Sequence, residues 1–128
     1  MHFGEHVTID GYGGSFEKLN DKELVFRALN ELVEKIGMKK LSEPYVCNAP
    51  ASGKKDPGGW SGFVVIQESH ISIHTFPARA FLSADVYSCI NNLDRKLIIS
   101  YFKDNFELKD IESHFIKRGT RYPEKNVF

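Results

Sequence analysis

The part of the chain that most constrains its fold is a central stretch in which three runs rich in β-branched and aromatic residues follow one another closely. Such runs are typical of strands, and strands of this length need neighbours in a sheet. The three runs cover residues 61–68, 69–76 and 81–89. Alternation along the second run predicts that His70, Ser72 and His74 share one face of a strand and that Ser69 lies on the other face. Because a serine at a strand junction can depart from this pattern, alternation alone does not decide whether Ser69 and His74 meet.

Further elements flank this centre on both sides. An apolar stripe at helical spacing predicts a helix that begins after Asn20 as its N-cap, with Glu23 completing a capping box, and ends at Gly37. A second helix is predicted over 93–106. Further strands are predicted over 3–12, 44–47 and 108–116, and a long loop is predicted over 48–60.

The longer runs give the order β-α-β-β-β-α-β, which is typical of the α+β class. We expect a two-layer sandwich in which an antiparallel sheet carries two helices on one face. Residues 1–128 are predicted to form a single domain, because a chain of this length supports one core but not two. A homodimer would bury the other face of the sheet.

Composition argues against several functional classes. Seventeen acidic residues balance seventeen basic ones, so a nucleic-acid partner held by a general positive field is not expected. The longest apolar runs are far shorter than a membrane span, and the first residues lack the pattern of a signal peptide. We therefore expect a cytoplasmic protein without a membrane partner, in which Cys47 and Cys89 are free thiols. The basic residues Lys117, Arg118 and Arg121 are expected on a solvated face.

The residues that could carry chemistry lie between Glu68 and His74, and several interpretations are open. They can be ordinary strand residues. A metal site is a second interpretation. His70 and His74 are too far apart on a strand for easy joint ligation, so no metal is expected. They can belong to a Ser–His–Asp hydrolase built from Ser69, His74 and Asp85, although the chain is small for that fold and has no Gly-x-Ser-x-Gly elbow.

A resemblance to a known family rests on the sequence Glu-Ser-His-Ile-Ser-Ile-His-Thr at 68–75, followed by Pro77 and, further on, by Cys89. These residues resemble the prokaryotic S-adenosylmethionine decarboxylases, and the resemblance extends from Phe3 to Pro123. In that family the chain cuts itself to make a pyruvoyl group. The resemblance therefore implies a cut between Glu68 and Ser69 into fragments 1–68 (the β chain) and 69–128 (the α chain).

The resemblance also implies a role for individual residues. Ser69 is the pyruvoyl precursor, whose product holds the substrate as a Schiff base. His74 is the acid/base of self-processing, and Ser61 supports that processing. Cys89 is the proton donor during decarboxylation. The family forms a homodimer of cleaved protomers whose active sites draw residues from both sides of the interface.

The implied processing chemistry uses the Ser69 hydroxyl as a nucleophile. Its Oγ attacks the Glu68 carbonyl carbon and replaces the peptide bond with an ester. Loss of the Ser69 α-proton then expels the Glu68 carboxylate, and the resulting dehydroalanine hydrolyses to pyruvoyl and ammonia. An imidazole suits that proton removal. The pyruvoyl carbonyl does the work that pyridoxal phosphate does elsewhere, so no pyridoxal phosphate is expected.

The substrate is less constrained than the cofactor. Better-known members continue His-Thr-Trp-Pro-Glu, where the aromatic helps to stack the adenine and the glutamate binds the ribose hydroxyls. This chain has Phe76, which keeps a stacking surface, and Ala78, which accepts no hydrogen bond. The expected function is S-adenosylmethionine decarboxylation in polyamine (spermidine) biosynthesis. The alternatives are a pyruvoyl-dependent arginine or ornithine decarboxylase and a non-catalytic regulatory homologue.

A second Glu-Ser-His sequence, at Glu112, Ser113 and His114, serves as an internal comparison. Five positions after its serine stands Arg118 rather than a histidine, and no cysteine follows. This fragment is therefore predicted to be an ordinary piece of strand.

Overall fold

Six strands form one entirely antiparallel sheet in the computed structural model, which describes residues 2–123. The strands are β1 (Gly4–Tyr12), β2 (Tyr45–Ala49), β3 (Gly59–Ile66), β4 (Ser69–Phe76), β5 (Phe81–Ser88) and β6 (Asp110–Arg118). Their order across the sheet is β2-β3-β4-β5-β1-β6. Strands β2 and β6 therefore form the two edges, and the residues expected to carry chemistry lie on inner strands or directly beside their ends.

The helices are α1 (Phe16–Leu19), α2 (Lys22–Lys35) and α3 (Arg95–Phe106), and a 3₁₀ turn covers Pro77–Arg79. The N-cap of α2 is Asp21, whose carboxylate accepts the Leu24 N–H at 3.1 Å. The prediction of Asn20 as this cap is wrong, because Asn20 already ends the short helix α1. Gly37, at which the helix was predicted to end, follows α2 with a φ of 75°, in the left-handed region typical of a residue after a helix C-terminus.

The core lies between one face of the sheet and the two long helices. Alternate residues of the inner strands, the apolar stripe of α2 and the aromatic residues of α3 are buried. Those that are completely buried include Val7, Ile9, Ile71, Ile73, Leu29, Leu32, Phe102 and Phe106. Truncation of such side chains to alanine typically costs about 2–5 kcal/mol of stability. The helices thus cover one face, and the opposite face, called here the open face, carries no helix in the part of the chain that the structure describes.

The predicted fold class is confirmed, with differences in detail. The predicted order has one strand too few between the long helices, because it omits the short strand expected over 44–47. That strand is β2, and it pairs with β3. The loop predicted over 48–60 is shorter, since its ends belong to β2 and β3. No helix within residues 2–123 combines the length and apolar character that crossing a membrane requires.

The halves of the chain on either side of the Glu68–Ser69 bond interleave in the sheet. Residues up to 68 supply β1, β2 and β3, and residues from 69 onward supply β4, β5 and β6. Strand β1 nevertheless lies between β5 and β6 and pairs with both. Each half therefore depends on the other for its neighbours in the sheet.

Candidate functional site

The Glu68–Ser69 bond lies at the tight turn between β3 and β4. Ile66 pairs with Ser69, so Gln67 and Glu68 alone form the turn. The sequence suggested that β3 continues to Glu68, but Glu68 has a φ of 63°, which no strand residue adopts. A side chain in this left-handed region costs roughly 1–2 kcal/mol. Backbone strain is therefore located at the residue whose carbonyl precedes Ser69.

The Ser69 hydroxyl contacts that carbonyl directly. Its Oγ donates to the Glu68 carbonyl oxygen at 2.5 Å, and the serine is only 9% exposed. Its side chain is on the helix-facing side of β4, as alternation predicted. A hydroxyl held this close to the preceding carbonyl is in position to attack its carbon, which is the geometry that an N-to-O acyl shift requires.

Cys89 lies beside this turn. It follows β5 directly, and its Sγ contacts the Gln67 carbonyl oxygen at 3.7 Å. Cys89, Glu68 and Lys39 line a cleft of about 340 Å³. Cys89 and Cys47 are both free thiols, as expected. The structure thus brings Ser69, Glu68 and Cys89 to one end of the sheet, here called the hairpin end.

Ser61 and His74 form a second pair at the other end of the same two strands. They are direct register partners, and the Ser61 Oγ lies 2.9 Å from the His74 Nδ1. His74 is on the open face, whereas Ser69 is on the helix-facing side. The five positions between them correspond to roughly 16 Å along β4. Within one chain, His74 therefore does not lie beside Ser69.

Asp85 is the centre of a polar cluster on the open face. Its Oδ2 lies 2.5 Å from His6 Nε2 and 3.3 Å from His70 Nε2, and its Oδ1 accepts the Ser72 hydroxyl. The hydrogen-bond partners of Asp85 are thus His6, His70 and Ser72, and neither Ser69 nor His74 is among them. The arrangement contradicts a Ser69–His74–Asp85 hydrolase triad.

Arg118 determines which nitrogen of His6 carries the proton. Its Nη1 lies 2.9 Å from His6 Nδ1, and because a guanidinium only donates, Nδ1 must accept and Nε2 carries the hydrogen. Arg118 also stacks on Tyr87 at 4.7 Å and stays exposed, in agreement with the solvated face expected for it. His6, His70 and Asp85 have the composition of a metal site, with ligand atoms within 4.8 Å of one another. His6 is nevertheless a poor metal ligand, because its Nε2 carries a hydrogen and its Nδ1 is occupied by the Arg118 guanidinium.

The sequence did not identify this cluster. His6 and His70 both pair with Tyr87, one from each side of β5. His6 and Asp85 are 79 positions apart, so only the strand pairing brings them together. Period-two alternation in β1 is the one sequence signal that places His6 on the open face.

The remaining candidates lie near the Ser61–His74 pair. The Phe76 ring packs on Phe81 at 5.5 Å and stays partly exposed. Ala78 belongs to the 3₁₀ turn and lines a cavity of about 350 Å³ together with Asn48 and Asn20. Far from both ends, Glu112, Ser113 and His114 are ordinary residues of the edge strand β6, as predicted.

Comparison with known proteins gives consistent results. Residues 5–119 match the family model described as S-adenosylmethionine decarboxylase. An S-adenosylmethionine decarboxylase proenzyme of Clostridium botulinum (strain Langeland) is 34% identical over 91% of this chain and 94% of that protein. One from a Geobacillus species is 35% identical over 92% and 89%. The crystal structure of the adenosylmethionine decarboxylase from Aquifex aeolicus superposes with a TM-score of 0.78 over 98% of both chains, at 26% identity.

Proposed function

The chain belongs to the S-adenosylmethionine decarboxylase family, and from that membership we propose that it is a self-processing enzyme that releases carbon dioxide from S-adenosylmethionine. The observation that carries the proposal is the contact of the Ser69 hydroxyl with the Glu68 carbonyl, at a turn where Glu68 has a left-handed backbone. Relatives named as proenzymes support a processing step.

In the proposed processing step, Ser69 Oγ forms a bond to the Glu68 carbonyl carbon and the C–N bond breaks. The Ser69 α-proton is then removed, and the ester oxygen leaves with the Glu68 carboxylate. Addition of water releases ammonia and leaves a pyruvoyl group at the start of the fragment 69–128. The strain at Glu68 favours this direction, because Glu68 is no longer part of a closed turn once the bond is cut.

The buried position of Ser69 and the adjacent cleft fit such a group. When present, it supplies an electrophilic carbonyl that holds the substrate amine and takes up the electron pair released with carbon dioxide. The Cys89 thiol lines the same cleft and is the proposed donor of a proton to the product carbon. Neither pyridoxal phosphate nor a metal has a part in this scheme.

The proposed complete site is shared between two protomers. His74 and Ser61 are too distant from Ser69 in one chain, but a two-fold axis between two open faces, running across the strands, would place them near the partner's hairpin end. Exposed apolar side chains on the open face support its burial against a second copy; they are Tyr12, Tyr45, Phe63, Val65 and Ile116. His74 of one protomer would then remove the α-proton at Ser69 of the other.

Family membership supports S-adenosylmethionine as the substrate, and we place the reaction in polyamine biosynthesis in the cytoplasm. Two free thiols are consistent with a reducing compartment. Ala78 offers no hydrogen bond to a substrate hydroxyl, so arginine and ornithine are the substrates to compare.

The test combines processing and turnover. Purified protein is expected to give fragments 1–68 and 69–128 by mass spectrometry and to release carbon dioxide from S-adenosylmethionine in preference to arginine or ornithine. Ser69→Ala should remain one inactive chain. Cys89→Ala should be cleaved but turn over about 100-fold more slowly, the usual contribution of a positioned acid. Cys47→Ala is the matched control and should match the wild type. An intact chain after prolonged incubation, or equal loss of cleavage and turnover in Cys89→Ala, would contradict these assignments.

A further inference from the structure

Glu5 is a carboxylate buried in the core side of β1, only 3% exposed. Its Oε1 accepts the Leu93 N–H at 2.7 Å, and its Oε2 lies 3.0 Å from His2 Nε2. Burial raises the pKa of Glu5, but hydrogen bonds from the Leu93 N–H, His2 and the Asn92 N–H together lower it below the usual value. Glu5 is therefore a charged group whose partners lie mainly on one distant backbone segment.

That segment, residues 89–93, carries Cys89 between β5 and α3. Its first turn is held by Ser88 Oγ, which accepts the Ile90 N–H at 3.0 Å. Asn92 adopts a left-handed backbone, with a φ of 66°, and Leu93 is buried. Without the carboxylate, the Leu93 N–H that closes this segment would lose its acceptor.

The preceding residue, Gly4, brings β1 against the other end of the same segment. A Cβ at Gly4 would lie 2.3 Å from the Ser88 carbonyl oxygen and 3.1 Å from the Cys89 Cα. Adjacent residues of β1 thus fix the segment at both ends: Gly4 by close approach at Cys89 and Glu5 by hydrogen bonds at Leu93.

We infer that Glu5 is a positioning residue for Cys89: its carboxylate fixes the segment 89–93 and so holds the Cys89 thiol at the cleft beside Glu68. This inference rests on the proposed role of Cys89 in decarboxylation. Glu5 belongs to the fragment 1–68, whereas Cys89 and Leu93 belong to the fragment 69–128. The hydrogen bond from the Leu93 N–H to Glu5 therefore joins the two products of the cut. Processing, which involves Ser69 and Glu68, does not require it.

The first test separates turnover from processing in Glu5→Ala and Glu5→Gln, with Glu112→Ala as a matched control. Glu112 also accepts a hydrogen bond across strands, from Tyr12, but lies far from Cys89. All three variants should be cleaved. Glu5→Ala should lower kcat about tenfold, because a displaced Cys89 thiol transfers its proton less efficiently. KM should change less than about twofold. Glu5→Gln keeps an acceptor for Leu93 and should recover to within about threefold of the wild type.

The second test does not depend on activity. In a Cys47→Ser background, the rate of Cys89 alkylation by iodoacetamide reports the order of the segment. Glu5→Ala should raise this rate about fivefold, because the segment 89–93 opens more often once it has lost its hydrogen bond to Glu5. Glu5→Gln and Glu112→Ala should leave the rate unchanged. If Glu5→Ala does not fold, Glu5→Asp, whose shorter side chain withdraws the acceptor, is measured in the same way.

Unchanged kcat and unchanged alkylation in Glu5→Ala, or in Glu5→Asp when that variant replaces it, would overturn the inference. A parallel loss of cleavage and of kcat with a changed KM, not rescued by Glu5→Gln, would also overturn it. That result would indicate a general structural role for Glu5. If the wild type decarboxylates none of the three substrates, the proposed function fails, and the alkylation rates alone decide whether Glu5 positions Cys89.

Discussion

Glu68 combines two properties that rarely occur in one residue of a β-hairpin. It precedes the nucleophile, and it has a left-handed backbone although it carries a long side chain. Glycine or asparagine would adopt this conformation at lower cost. The energy stored at this turn thus lies next to the one peptide bond that the proposed chemistry breaks, and relief of strain would accompany the cut.

Strain at Glu68 can be measured in the uncleaved Ser69→Ala background. Glu68→Gly should raise the free energy of unfolding by about 1 kcal/mol, because glycine has no Cβ to oppose a positive φ. Gln67→Gly, at the neighbouring turn position, should lower it by up to about 1 kcal/mol through the greater freedom of the unfolded chain. Urea denaturation gives both values. Equal effects of the two substitutions would show that Glu68 is not strained.

At the scale of elements, apolar periodicity predicted α2 and α3 well because each helix repeats its apolar positions over several turns. The beginning of α2 was misplaced by one residue, since Asn20 and Asp21 are both good caps and α1, which takes Asn20, has only four residues. The turn before Ser69 was missed because Gln-Glu is not a turn pair. Strand pairing between β1 and β5, which makes the His6–Asp85 contact, leaves no local signal.

The assignment of the α2 cap can be tested with neighbouring substitutions. Asp21→Ala should lower the free energy of unfolding by about 1 kcal/mol, because the Leu24 N–H loses its acceptor. Asn20→Ala should change it by less than about 0.5 kcal/mol, the usual range for an exposed side chain. Both are measured in the Ser69→Ala background by urea denaturation. A larger effect at Asn20 would restore the prediction made from the sequence.

At the scale of the whole molecule, the candidate site consists of two half-sites at opposite ends of β3 and β4. The hairpin end has the nucleophile, the carbonyl and the thiol, and the opposite end has the Ser61–His74 pair. The sequence identified all of these residues by resemblance, but alternation could not decide whether Ser69 and His74 meet. In one protomer they do not.

Coexpression of Ser69→Ala and His74→Ala chains tests the shared site. In a mixed dimer, the His74→Ala chain keeps Ser69 and meets the intact His74 of its partner, so it should be cleaved. Neither variant should be cleaved when expressed alone. Mass spectrometry identifies which chain is cut. Absence of any cleavage in the coexpressed sample, with mixed dimers verified by differential tags, would mean that the two residues act within one chain.

The placement of β1 between β5 and β6 changes the molecularity of unfolding once the backbone is cut. The intact chain unfolds to one molecule, whereas the processed protein releases two peptides when it unfolds. Each half by itself keeps only one pair of neighbouring strands, β2 with β3 or β4 with β5. Mass action then makes its melting temperature depend on protein concentration. Scanning calorimetry over a range of dilutions should show a steeper dependence for the processed protein than for Ser69→Ala. Refolding should likewise slow on dilution, since two separate peptides must first find each other.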